Sequence, residues 1–207
     1  MDLQFYGANC IGLTYKGARF VFDDNLNDLG SKSILKPDDV ALFTGSHPND
    51  RVARLMFDGP GEYEVSDISI HGIAVRSHMD EPDKFSTTMF KLTQADQNVL
   101  VTGHIYPELS EAQLESIGMV DLLIVPVGGN GYTVDPVGAL KLIKAIEPKI
   151  VIPTHYADKT LNYPVPQQDL DEALKEIGME PKEKLAKYRL KPTELSDLTQ
   201  LIILERS

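Results

Sequence analysis

The chain has 207 residues, of which 42% are hydrophobic and 25% charged. That balance excludes a wholly disordered chain and a collagen-like repeat, and a single cysteine, Cys10, excludes a disulfide scaffold. Acidic residues (31) outnumber Lys plus Arg (20), giving a net charge of −11 that repels phosphate backbones.

The first half reads as β. Leu3–Tyr6, Ile11–Tyr15 and Ala18–Phe22 are short strand-like runs punctuated by turns at Gly7 and Lys16-Gly17. Val40–Thr44 is a fourth run and leads into Gly45-Ser46-His47-Pro48-Asn49-Asp50, a loop by composition. Gly and Pro force a bend near Gly59-Pro60-Gly61, where Glu62 and Tyr63 are expected to fix a turn. Ile68–Val75 alternates as a strand, with His71 inside it and not expected to be a ligand. Thr87–Leu92 and Asn98–Thr102 pair as a hairpin.

The second half alternates strands and helices. Ser110 caps a short helix that reaches Ile117 and stops at Gly118. Asp121–Val125 is apolar throughout, as expected of a strand covered on both faces. Asp135 caps a helix with Pro136 at its first position, running to about Ile146. Lys149–Ile152 is a further buried strand, Gln167–Ile177 a helix with one apolar stripe, and Thr199–Leu204 a last strand. Met179–Lys191 is charged and linker-like, and its basic residues are interleaved with Glu183, so no nucleic-acid partner is expected. A single domain over residues 1–207 is expected. The lone cysteine fits a reducing cytoplasm, MDLQFYGANC has no signal-peptide character, and no run is long enough to span a bilayer. A cytoplasmic protein with no membrane partner is the expectation.

Of the five histidines, His47, His104 and His155 each follow a strand, where α/β folds assemble sites, and neutral imidazole is the commonest zinc ligand. Spacing alone pins no two of them to one element.

Read in order, four strings carry more: Gly59–Val65 (GPGEYEV), Leu109–Leu114 (LSEAQL), Val120–Gly129 (VDLLIVPVGG) and Glu147–Tyr156 (EPKIVIPTHY). On these the chain resembles the metallo-β-lactamase-fold hydrolases, in particular a small bacterial and archaeal branch of Zn-dependent hydrolases. The resemblance implies an α+β fold, an αββα sandwich of two mixed β-sheets flanked by helices, with a two-metal site at one end. A hydroxide between the ions attacks a phosphoester, ester or amide.

The implied ligand set is altered here. Ala8 stands where the family's opening turn usually carries histidine, and Asp23 resembles the aspartate ending the third strand. The HxHxDH positions are Gly45, His47, Asn49 and Asp50; the later ligands are His78, His104 in place of a bridging aspartate, and His155. An imidazole offers one lone pair and cannot bridge two ions roughly 3.5–4 Å apart as a carboxylate does. At most one ion, zinc or another divalent transition metal, is therefore expected, with His47, Asp50, His78, His104 and His155 as candidate ligands and Asp50 and His104 as candidate catalytic residues. Gly128-Gly129-Asn130-Gly131 lacks the context of a phosphate loop and is expected to lie under the site, with Tyr132 or Asp135 reaching in. Cys10 is expected in the core, and Asp23 and Asp24 either orient a ligand or end a strand.

The resemblance and the altered ligand set leave three functions: a degenerate member with altered, reduced or absent hydrolysis, with one metal or a small-molecule ligand in the old cleft; a one-metal hydrolase of a phosphoester, lactone or ester; and a non-enzymatic ligand-binding or interaction protein on the same scaffold.

Overall fold

A computed structural model describes residues 1–47, 52–191 and 195–207. Among them are fourteen strands and three α-helices. The strands are β1 (Asp2–Gly7), β2 (Cys10–Tyr15), β3 (Ala18–Phe22), β4 (Val40–Leu42), β5 (Leu55–Phe57), β6 (Gly61–Val65), β7 (Ile68–Val75), β8 (Thr87–Gln94), β9 (Gln97–Val101), β10 (Leu122–Pro126), β11 (Ile150–Thr154), β12 (Pro181–Leu185), β13 (Tyr188–Arg189) and β14 (Gln200–Leu204). The helices are α1 (Glu111–Ile117), α2 (Pro136–Ile146) and α3 (Leu170–Ile177).

The strands make two mixed sheets, ordered β13-β1-β2-β3-β4-β5 and β12-β14-β11-β10-β9-β8-β7-β6. In the first, β3, β4 and β5 run parallel; in the second, β12, β14, β11, β10 and β9 do. Period-two alternation explains how one strand serves two layers. Val99, Val101, Leu122, Ile124, Ile150 and Ile152 face the first sheet's Leu3, Phe5, Leu13 and Phe20 between the sheets. Their neighbours Leu100, Leu123, Val125 and Val151 face outward onto Leu142, Ile143, Leu174 and Ile177 of the helices. The strands are apolar on both faces because both faces are covered. On the far side of the first sheet a single 3-10 turn, Leu26–Leu29, with Leu161 covers Cys10 and Val21. Burial pushes the Cys10 thiol well above its usual pKa, as expected of an inert core residue.

The helix starts follow local chemistry. Ser110 and Gln113 form a reciprocal capping box on α1, and the Asp135 carboxylate accepts from Gly138 N–H at α2. Asp135 is thus spent on its helix, and of the two residues expected as alternatives to reach into the site it is Tyr132 that does. The third helix begins at Leu170 behind an Asp169 cap, later than the expected Gln167.

Two other expectations are corrected. Glu62 and Tyr63 lie within β6, paired with His71 and Ile70 of β7, not in a turn. The segment Met179–Lys191 is no linker: it supplies β12 and β13, an edge strand to each sheet. Its charges misled the reading because edge strands carry exposed Lys and Glu that discourage further strand addition. No helix among the described residues is long and apolar enough to cross a membrane.

Candidate active site

Five loops meet at one end of the sandwich, because parallel strands deliver their C-terminal ends to the same edge. They follow β3 (Asp23, Asn25), β4 (Thr44 to His47), β9 (His104), β10 (Gly128 to Tyr132) and β11 (His155). A cavity of about 170 Å³ lies between them, lined among others by Asn9, Asp23, Asn25, His47, His104, Tyr132 and His155.

His155 is the most firmly held of these. It is only 3% exposed and sits at φ +52°, a conformation that bulky residues seldom adopt unless their surroundings impose it. Its backbone N–H donates to Ala8 O at 2.8 Å. Its Nδ1 lies 3.0 Å from Gln167 Oε1, while Gln167 Nε2 donates to Val165 O at 2.7 Å. An amide oxygen only accepts, so Nδ1 carries the proton and Nε2 keeps its lone pair. Burial lowers the ring's pKa to about 4, against the bond to Gln167.

His104 packs edge-on against His155, ring centroids 4.6 Å apart and planes at 84°. Burial, then the proximity of His155 and His78, holds its pKa well below the ordinary value; a bond to the Tyr132 backbone opposes this. Its Nδ1 is buried with no partner, so the Tyr132 carbonyl takes the other nitrogen. Tyr132 also packs on both rings, at 5.5 Å from His104 and 5.6 Å from His155. Gly103, at φ +65°, lets Thr44 pack close beside His104: a Cβ there would collide with the Thr44 side chain.

His78 stands behind the pair. Its Nε2 donates to Gly131 O at 2.7 Å, and its Nδ1 is buried without a partner. His47 belongs to the outer rim. Its Nε2 pairs with the half-exposed Asp58 at 2.8 Å, and its ring meets Phe43 at 5.6 Å. Asn49 and Asp50 lie outside the described residues.

Asp23 is buried, and Thr44 N–H and Oγ1 each donate to its carboxylate at 2.7 Å. Burial raises its pKa to about 6 despite these bonds. It braces Thr44, which packs against Gly103 beside His104. Asp24 accepts from Ser33 Oγ and the Ile34 and Leu35 amides, so it organises the loop that follows. His71 faces Glu62 across two strands, away from this cavity.

Two site residues, Gln167 and Asn9, are not among those expected from the sequence. Gln167 precedes the third helix; Pro166 before it and the capping pattern of Asp169 with Glu172 are the signals that place the helix start later. Gly128 must be glycine because a Cβ would strike both His155 O and Gln167 Oε1. Asn9 has a buried, unpartnered Nδ2, while its Oδ1 accepts from Thr154 Oγ1 at 2.8 Å.

These residues offer imidazole nitrogens to a metal, without a complete ligand set. Among the described residues no three His, Cys, Asp or Glu side chains gather in a ready-made metal group. What is gathered is a pair of neutral imidazoles, and the orphaned Nδ1 of His104 is the donor type that a borderline transition metal takes.

Comparisons with known proteins agree with this architecture. A family model described as a beta-lactamase superfamily domain matches residues 2–155. The chain is 49% identical over 43 residues to a UPF0173 metal-dependent hydrolase from Carboxydothermus hydrogenoformans, and 46% identical over 46 residues to one from Thermoplasma acidophilum. Each match takes in 21% of this chain and spans only 19% and 20%, respectively, of those relatives. A metallo-beta-lactamase superfamily protein from Thermotoga maritima, provisionally described as a Zn-dependent hydrolase, superposes with a TM-score of 0.74 at 25% identity, covering 99% of this chain and 98% of that one. A metallo hydrolase from Ignicoccus hospitalis, at 16% identity and a TM-score of 0.64 over 92% of this chain and 99% of that one, shares the fold. The match to the family model across three quarters of its length, on two face-to-face mixed sheets, makes this chain a member of the beta-lactamase superfamily domain family with the metallo-β-lactamase fold.

Proposed function

We propose that this protein descends from metal-dependent hydrolases and carries a degenerate metal site, with room for at most one divalent transition-metal ion and with altered, reduced or no hydrolase activity. One observation supports this above the rest: the neutral ring of His104 lies against His155 at 4.6 Å, in the position that the family resemblance gives to a bridging carboxylate. With one lone pair it serves a single cation, and it removes the negative charge that would offset repulsion between two dications.

The chain's own residues divide the remaining work. His104 and His155 would hold the ion, Gln167 and Tyr132 keep their rings oriented, and Asn9 Nδ2 offers a donor to a ligand oxygen. When bound, the ion would supply Lewis-acid polarisation of a carbonyl or phosphoryl oxygen. Elemental analysis after equilibration with zinc, cobalt or nickel tests the reading: at most one equivalent is expected, and two would overturn it. A panel of phosphodiester, lactone and ester substrates tests the loss of activity.

A one-metal hydrolase is the second reading, favoured by the same imidazole pair. Turnover that vanishes in His155→Ala, in a folded variant, would establish it over the first. The net charge of −11 favours a small-molecule ligand over nucleic acid.

A further inference from the structure

Just beyond β14 the chain crosses from one sheet to the other. Glu205 N–H donates to Leu185 O of β12 at 2.8 Å, and Ser207 N–H donates to Phe5 O of β1 at 2.9 Å. The backbone itself thus ties the two sheets together, and the Arg206 side chain between these bonds is left for other partners. Its guanidinium makes four hydrogen bonds to three separate segments. Nε donates to Tyr6 O at 2.9 Å; one terminal nitrogen donates to Asp158 Oδ2 at 2.8 Å and to Thr160 Oγ1; the other donates to Ser31 Oγ at 3.0 Å. The Arg206 and Asp158 side chains are only 26% and 19% exposed, so solvent and salt screen the pair less than a surface pair.

Each of the three segments runs into one wall of the cavity. Tyr6 leads through Gly7 to Ala8, which lines the cavity and whose carbonyl accepts the His155 N–H. Ser31 follows the 3-10 turn, whose Asp28 and Leu29 also line it. Asp158 and Thr160 belong to a strap, residues 157–163, that follows β11. In this strap Leu161 packs with Ala8, Leu26 and Leu29, and Asn162 N–H donates to Leu29 O at 2.9 Å. The Tyr163 ring packs on the His155 ring at 5.1 Å, and its hydroxyl donates to Tyr156 O. Gly7, at φ +108°, is the close approach in the clasp: a Cβ there would lie 3.1 Å from Arg206 Nε and 3.0 Å from Leu161 Cδ1. Arg206 stands behind the wall, outside the cavity lining.

We propose that Arg206 is a positioning residue for the candidate site. It latches the strap 157–163 to the turn after β1 and to the 3-10 turn, so that Tyr163 stays on the His155 ring and the His155 backbone keeps its bond to Ala8. It acts through these neighbours and touches no ligand. Release of the latch loosens the wall between Ala8 and Leu29. The proposal rests on the reading of this cavity as the functional site and adds a residue outside the cavity on which one wall depends.

Amide hydrogen exchange of the full chain, without added metal or substrate, tests this. In Arg206→Met the amides of His155, Leu161 and Asn162 are expected to exchange about 10-fold faster, as the loss of a charge-assisted hydrogen bond implies. The amides of Leu100 in β9 and Leu123 in β10 are expected to keep their wild-type rates. The nuclear Overhauser contact between the Tyr163 and His155 rings is expected to weaken along with the three strap and site amides. Arg206→Lys keeps the charge beside Asp158 but loses the planar fork, and is expected to recover part of the protection. Asp158→Asn removes the anion alone and speeds the same three amides, which keeps the test open if Arg206→Met fails to fold. A rise shared equally by β9 and β10 would show a merely structural role and overturn the proposal. Unchanged rates at the three amides, with the ring contact intact, would overturn it as well. No metal enters the measurement, so its failure is distinct from failure of the metal reading, which elemental analysis decides.

Discussion

The two sides of the cavity differ in how closely their loop residues are packed. On the β9–β11 side, His104 and His155 are packed together, each ring is held by a neighbour's oxygen, and Gly128 is required by the close approach of His155 and Gln167. On the β4 side, Gly45 presents no side chain and none of the described residues lies within 4 Å of where its Cβ would be, while His47 turns to a half-exposed carboxylate. Both sets of strands are buried in the core; the difference lies in the loop residues that follow them.

The sharpest way to break this comparison is a pair of glycine substitutions. Gly128→Ala forces a Cβ into His155 O and Gln167 Oε1, and is expected to cost about 3 kcal/mol, at the upper end of overpacking effects. Gly45→Ala enters open space and is expected to stay within about 0.5 kcal/mol. Urea unfolding midpoints check both. Equal costs would show that the two sides are equally packed.

Acid sharpens it next. His155, with a folded pKa of about 4 against 6.5, binds a proton more readily in the unfolded chain, so its contribution to stability is lost as pH falls from 6.5 to 4. His104, also lowered, acts in the same direction. Asp23, raised to about 6 from 3.8, binds its proton more readily when folded and opposes them as pH falls from 6 to 3.8. Two groups against one leave a net loss of up to about 1.4 kcal/mol per pH unit. Asp23→Asn removes the opposition and is expected to steepen the loss, readable from unfolding free energies at pH 4.5, 5.5 and 6.5. A flat profile would mean that the rings are solvated.

The smallest effects come from double-mutant cycles. His155 with Gln167, a buried hydrogen bond, is expected to couple by about 1 kcal/mol. His47 with Asp58, whose side chains are 28% and 45% exposed, is expected to couple by about 0.5 kcal/mol or less, and to lose that in high salt. A rim pair as strong as the buried one would erase the contrast.

Much of this molecule was readable before any coordinates. The apolar runs around Leu122–Val125 and Ile150–Ile152 announced strands covered on both faces, and Ser110, Asp135 and Gly118 announced helix ends. The ends of β9 and β11 announced His104 and His155 as neighbours of a common edge. The edge strands β12 and β13 were missed because their charges, suited to solvent, look like those of a linker. Gln167 was missed because its role depends on a partner twelve residues away, across a turn.

By itself, then, the order of residues determined the strand runs, the helix ends and the placing of His104 and His155 at strand ends, whereas the sandwich and the reading of His104 at a carboxylate position are what the family resemblance implies. Local periodicity, turn chemistry and side-chain type carry that information. Only the tertiary structure decided which nitrogen of each ring is bare, that His47 leans to Asp58 while His155 leans to Gln167, and that Gly128 is the gap between them. Those outcomes are set by which oxygen happens to lie within hydrogen-bond reach, a property of the assembled loops that no single segment contains.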